Sequence, residues 1–524
     1  MWFTPVPQAR PNLLWSLLGT ARWGAAALVG IWIVLASSMA VAQPATPAPA
    51  PASAPAARTQ AAVATSDPRL EKSARAIDEG KFSDAFTLVG EAVKDGRLTD
   101  TDSDWASYLT ARALAGLGKA EEAETVAKER YAINPNGYTW ASLVAIEVTT
   151  GRHDLAASTI LDLEEEDFIW VNKLRPALIE SVVGSLDGPK TALRDRLIVR
   201  LVEGRYSGPA SQRVPDTLRL RYINMLLRQN RLEDAARQTS SIETPAILSL
   251  LLTDRSFEPL WAHPTIKALM QSGALLARVD RGVQARLEQP ELSSSDWLDV
   301  MRSLRIIGRA DEAVRLGLHA LEQARKENRP AGSALRLEMA RAYAEQGESW
   351  AARRTARELL REESSLPAAT RASIAQVLDD AGDDEGALTL LGTMQGAART
   401  AEVLKLTVCA AHDLGRVEQR DAAILALEAQ AKAAPAELFE ALVCTGQKDK
   451  AAAALGEMLK QPGSRTAAIL TAQLYADPPK PDADHNNMRY RMTALIASAE
   501  VQEAVKPYAR TIGLPFTMAN ARPN

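Results

Sequence analysis

From about Asp67 onward, no strand-like alternation of apolar and polar positions lasts long enough to define a sheet. What recurs is a helix, a short turn carrying Gly, and a second helix with Ala five residues after that Gly. The instances are Gly80 with Ala85, Gly118 with Ala123, Gly151 with Ala156, Gly308 with Ala313, Gly347 with Ala352, Gly382 with Ala387 and Gly446 with Ala451. Asn230 with Ala235 fits with Asn in the glycine place, and Gly415 lacks the Ala, having Arg420 there. Where units follow one another directly, the turn recurs after roughly 30–40 residues, a period that predicts a stacked helical array. Gly ends the first helix because the left-handed turn costs it little. Ala is small where two helix backbones cross closely. Phe82 and Trp350, two and three residues after their glycines, are expected to fill the wedge between paired helices. One pair cannot bury its own apolar face, so neighbours must stack into a continuous core.

These residues resemble the tetratricopeptide repeat (TPR) family, a helix–turn–helix unit of about 34 residues. The turn Gly, the Ala five later, the Ala a further seven on (Ala92, Ala320), the closing Pro135 and the Ala seven before the turn (Ala111, Ala340, Ala375) carry the likeness. Seven good units and two degraded ones cover most of 67–475. The implied fold is all-α, a right-handed superhelical solenoid of TPR-like repeats. Residues 67–275 read as a first array and 290–475 as a second. The stretch 163–216, with the acidic run Glu164–Asp167, reads as two diverged repeats, its acidic residues on a solvated face. Around 245–290 extra packing helices are expected between the arrays. Residues 476–524 read as one capping helix, Tyr490–Arg510, and a tail.

Residues 1–42 carry Arg10 and Arg22 and no acid, with the apolar run Gly24–Ala36 followed by Ala40-Val41-Ala42. This is the pattern of a secretory signal, or of an uncleaved anchor, since residues 23–42 would just span a bilayer. Residues 43–66, with five Pro mostly alternating with Ala, read as an extended, disordered linker. The expected location is the periplasm or envelope of a Gram-negative-type bacterium, or the inner membrane facing the periplasm.

Sixty-one Lys and Arg against 65 Asp and Glu give a net charge of −4, so no global basic field recruits nucleic acid. The five histidines lie too far apart for a helical metal pair, and no phosphate-binding glycine loop or nucleophile elbow occurs. No catalysis, cofactor or metal is expected. Cys409 and Cys444 fall on first helices of neighbouring units, about one helical turn out of step. That offset predicts a separation beyond the ~7 Å limit for a bridge and two small free thiols, although an even count in an exported chain also allows a disulfide.

In the family the first helices line the concave side, with positions six, ten and thirteen before the turn Gly facing into it. Those positions hold Trp105, Tyr108, Arg112, Tyr138, Arg302, Arg341 and Lys405, with Arg305 close by. Arg and aromatics on one face of an acidic protein suit an extended, partly acidic peptide, unless each Arg pairs with acids of neighbouring helices. The Lys/Asn set of the family's carboxylate clamp is absent. The expectation is a scaffold or adaptor for protein partners, with no nucleic acid and with membrane contact only through residues 23–42. A sleeve for a carbohydrate polymer, stacked on Trp105, Tyr108 and Tyr138, is the alternative.

Overall fold

The structure, a computed structural model, describes residues 67–78, 80–186, 188–208, 213–288, 294–326, 332–362, 366–394, 396–476 and 487–517. The expected signal or anchor (1–42), the linker (43–66) and parts of the tail (477–486 and 518–524) lie outside the described residues. The rest is the all-α solenoid that the period predicts, a succession of helix pairs joined by tight turns. Among the described residues no helix is long and apolar enough to cross a membrane.

The turns form as their residues dictate. Gly80, Gly118, Gly151, Gly308, Gly347, Gly382, Gly415 and Gly446 all have φ between 67° and 79°. The residue after each Gly donates its N–H to the carbonyl five back, as Lys119 does to Leu114 at 2.9 Å and Arg309 to Leu304 at 2.8 Å. This closure satisfies carbonyls that a helix end would otherwise leave free. Asn230 takes the same conformation at φ 57°, as its place in the pattern predicts. The alanines five residues on, from Ala85 to Ala451, are all sealed from solvent. A larger side chain at such a crossing would push the helices apart, at about 1–3 kcal/mol.

Consecutive first helices pack on one another: Ser294–Ile306 on Ser333–Glu345, that helix on Ala368–Asp380, then Ala401–Asp413 and Pro435–Cys444. Consecutive second helices in this stretch touch far less. The solenoid therefore curves with its first helices inside.

Several details differ from expectation. Among the described residues of 163–216 there is one helix pair, Pro176–Ser185 and Thr191–Glu203, where two were expected. A 3-10 segment, Phe168–Lys173, precedes it, and the Phe168 ring lies so close to Gly204 that a Cβ there would fall 2.2 Å away. Arg205, at φ 57°, makes the repeat turn without a glycine, with Tyr206 N–H donating to Leu201 at 2.8 Å. Phe82 does pack between helices, against Gly116. Trp350 does not: it is 67% exposed, with the Arg354 guanidinium 5.3 Å from its ring centre. Three residues past the turn rather than two, it points away from the crossing.

Cys409 and Cys444 form a disulfide with a Cα separation of 5.4 Å. The expectation of free thiols assumed that equal register means equal height. The helix Pro435–Cys444 sits shifted along Ala401–Asp413, and four residues of offset amount to only ~6 Å of rise.

The C-terminal end is also more elaborate than one capping helix. Helices Asn487–Ile496 and Ala499–Val505 are separate, the second capped by Ser498. A short strand, β2 (Gly513–Thr517), then pairs in parallel with β1 (Leu474–Ala476). Helix Pro245–Thr253 packs on Pro462–Thr471, and one apolar core runs from Trp140–Val279 into Leu404–Phe516.

Candidate functional site

Two stretches of the inner helices hold the predicted residues, and their chemistry differs. In the first, helix Asp100–Gly116 presents Trp105, Tyr108 and Arg112 at intervals that keep them on one face. The Trp105 and Tyr108 rings lie 5.6 Å apart, tilted by 33°. The Arg112 guanidinium stands 5.8 Å from the Tyr108 ring centre and 4.0 Å from Asp78. Tyr138 comes from the next inner helix, Gly137–Thr149, and its phenol senses Tyr108 and Asp104. Burial, then those neighbours, pushes the Tyr138 hydroxyl well above its ordinary range, so it stays protonated. Tyr108 is buried, whereas Trp105, Arg112 and Tyr138 are half-buried.

The turn that aims Tyr138 is fixed from below. Asp104 accepts from Arg130 Nε and, at 3.0 Å, from Asn134 Nδ2. Asn136 caps the helix, accepting from Tyr138 N at 2.8 Å and Thr139 N at 3.1 Å. Gly137 is required here for space. A Cβ would fall 2.7 Å from Lys173 and 2.8 Å from Trp170, so the glycine lets the 3-10 segment bring Trp170 and Lys173 against the same turn.

In the second stretch the cations are neutralised by the protein itself. Buried Glu338 meets Arg305 directly, Arg341 at 3.4 Å and Arg302 at 3.6 Å. Arg305 also forks onto Glu345, with Nε at 3.0 Å. Lys405 is held between Glu402 at 2.7 Å and Glu440 at 3.1 Å. Burial opposes ionisation of Glu338, but Arg305, Arg341 and Arg302 outweigh it and keep the carboxyl below its usual range. Arg302, Arg305, Arg341 and Lys405 therefore do not form a free cationic face for an acidic peptide, and that part of the partner expectation is corrected. Each pairs with a carboxylate on its own helix or on the next inner helix.

The acids that decide this, Glu338, Glu345, Glu402 and Glu440, were not singled out from the sequence. Their signal was available: Glu338 precedes Arg341 by three residues and Glu402 precedes Lys405 by three, a spacing that puts both charges on one helix face. Asp104, Trp170 and Lys173 were likewise missed; no local spacing ties them to Tyr138. Among the described residues no group of three or more His, Cys, Asp or Glu side chains is placed to hold a metal ion. A cavity of about 480 Å³, lined by Leu161, Glu165, Asp195, Arg200 and Met225, lies away from both stretches.

No protein-family model matches the chain, and no curated protein matches it. Solved structures similar to it include the APC/C hetero-tetramer Cut9–Hcn1, at 12% identity and TM-score 0.23, covering 83% of this chain and 94% of that one. Another is the pentatricopeptide repeat protein PPR10 in complex with an 18-nt psaJ RNA element, at 13% identity and TM-score 0.26. That match covers 82% of this chain and 56% of the other. The second of these structures holds an RNA element, and the expectation that nucleic acid is excluded is not kept.

Proposed function

We propose that the protein is a non-catalytic scaffold that holds another protein against the inner face of its first array. One observation carries this reading: the contrast between the two inner stretches. Around Glu338 and Lys405 the cations of the face are paired with the protein's own carboxylates. Around Trp105 and Tyr138 the face offers half-buried aromatic surface and the Arg112 guanidinium, whose nearest acid among the described residues, Asp78, is 4.0 Å away. Aromatic rings with an Arg at the edge are the side chains that most often anchor protein interfaces. The carbohydrate-sleeve reading loses one of its three stacking platforms, because Tyr108 is buried in the core.

We further place the protein in an oxidising compartment, in keeping with export to the cell envelope. The Cys409–Cys444 bridge supports this, since such bridges persist outside the reducing cytosol.

The test is capture from envelope extract by immobilised full chain. A protein retained by wild type, lost by Trp105→Ala/Tyr138→Ala and kept by Arg302→Gln is the expected result. Equal retention by wild type and both variants would sink the assignment of the face, and retention of polysaccharide alone would favour the sleeve.

A further inference from the structure

In an open helical array each repeat touches only its neighbours. Here the last described residues break that rule. Arg510 donates its backbone N–H to Thr253 at 2.9 Å and its Nε to Leu252 at 2.5 Å. Its guanidinium stacks 3.9 Å from the ring centre of Trp261. Arg255 N–H donates to Tyr508 at 2.9 Å, and Asp254 and Ala509 form an antiparallel bridge. Two residues on, Ile512 donates to Gln473 Oε1 at 3.1 Å and accepts from Leu474 N–H at 3.2 Å. β2 then runs beside β1, and Thr517 Oγ1 donates to the Arg305 carbonyl at 3.3 Å. A dozen residues thus join three places that are far apart in sequence: 252–261, 305 and 473–476.

The manner of attachment is that of a bound peptide. Main-chain hydrogen bonds on both sides hold it, as in strand addition, while alternate side chains enter the protein. Leu514 and Phe516 are sealed, and Gly513 and Pro515 between and beside them are not. The sheet it completes has two short strands, a pairing that is marginal without the packing around it.

We propose that residues 506–517 are a clasp, an internal peptide ligand that closes the second array onto the end of the first. The groove it fills is a docking site for an extended segment with Arg at one end and Leu and Phe four and six residues later. Undocking opens the closed array and leaves the groove vacant.

The test uses the full chain with Phe516→Asp, which places a charge where a sealed ring sits, and a labelled peptide spanning residues 504–517. Wild type, its groove filled, is expected not to change the peptide's fluorescence anisotropy; the variant is expected to bind it. A peptide with Arg510→Ala should bind the variant roughly tenfold more weakly, having lost the stacked, hydrogen-bonded guanidinium. Small-angle scattering should give the variant a larger radius of gyration, and trypsin should cut it faster after Arg510. Circular dichroism with a cooperative melt establishes that the variant is folded. Should Phe516→Asp fail to fold, full-chain Arg510→Ala, at the half-exposed end of the clasp, replaces it in the binding and scattering measurements. A folded variant that binds no peptide, or that scatters as wild type does, overturns the proposal.

Discussion

Glu147 lies on the inner helix Gly137–Thr149 and is completely inaccessible to solvent. Its Oε1 accepts from Thr159 Oγ1 at 3.1 Å, and Oε2 has no hydrogen-bond partner among the described residues. Burial pushes its pKa from 4.5 up to about 7; Thr159 opposes this, Glu124 adds to it, and Lys128 and Arg152 oppose it. A carboxyl with a raised pKa in the folded state holds its proton more tightly there than in the unfolded chain. Below pH 4.5 both states are protonated and there is no cost. Between 4.5 and about 7 the unfolded chain has released the proton and the folded one has not, so stability falls as pH rises. Above about 7 the loss is complete. At about 1.36 kcal/mol per pH unit, the interval is worth roughly 3 kcal/mol. Glu147→Gln keeps the acceptor for Thr159 and removes the titration, at the cost of a buried amide of about 1 kcal/mol. The net expectation at pH 8.5 is a gain of about 2 kcal/mol, with a small loss at pH 4.5. Urea unfolding of wild type and variant at both pH values measures it, read at the earliest transition because a repeat array need not unfold in one step. Equal effects at the two pH values, or no gain at pH 8.5, would refute the reasoning.

Three further perturbations separate the forces that hold the array. Glu338→Gln leaves Arg305 buried with Glu345 alone and should cost about 3–5 kcal/mol in urea, whereas Arg302→Gln, at the edge of the same cluster, should cost under ~1 kcal/mol. Cys444→Ser opens a bridge spanning 35 residues; the chain-entropy relation for such a loop gives a loss of about 4 kcal/mol, seen as a lowered unfolding midpoint that a reducing agent reproduces in wild type only. Gly118→Ala isolates backbone strain, because φ is +78° and nothing lies within 4 Å of the added Cβ; a loss of about 1–2 kcal/mol is expected, and no loss would mean the turn can adopt another conformation.

In the second stretch the inner cations are taken up by carboxylates of the same wall. A buried ion cluster adds little net stability over an apolar core, yet it penalises any sliding that separates its members. Glu338 bonded to cations from two inner helices allows one alignment of those helices. The Cys409–Cys444 bridge imposes the same restraint two helices further along. Both restraints lie in the second array, and the proposed partner face around Trp105 and Tyr138 lies in the first.

The repeats were legible in the sequence because they are made by local rules. A glycine held at positive φ and an alanine at a helix crossing are demands of neighbouring residues on one another, so each leaves a mark at fixed spacing, and Asn230 showed the rule holding without glycine. Arg205 makes the same turn unmarked and was missed. What the tertiary structure alone decided was everything set by the relative height and curvature of the stacked helices. The slide of Pro435–Cys444 along Ala401–Asp413 brought two thiols into bonding range that register had kept apart. Stacking set Glu338 and Glu345 against Arg305 and Glu440 against Lys405, and with the same-helix pairs this turned a predicted acidic-peptide face into an internal ion cluster. Curvature carried residues 506–517 back to Leu252 and Trp261, joining Arg510 to a carbonyl 258 positions earlier that no local spacing points to. Short-range sterics fix the unit; small rigid-body displacements, accumulated over many units, fix which distant residues meet.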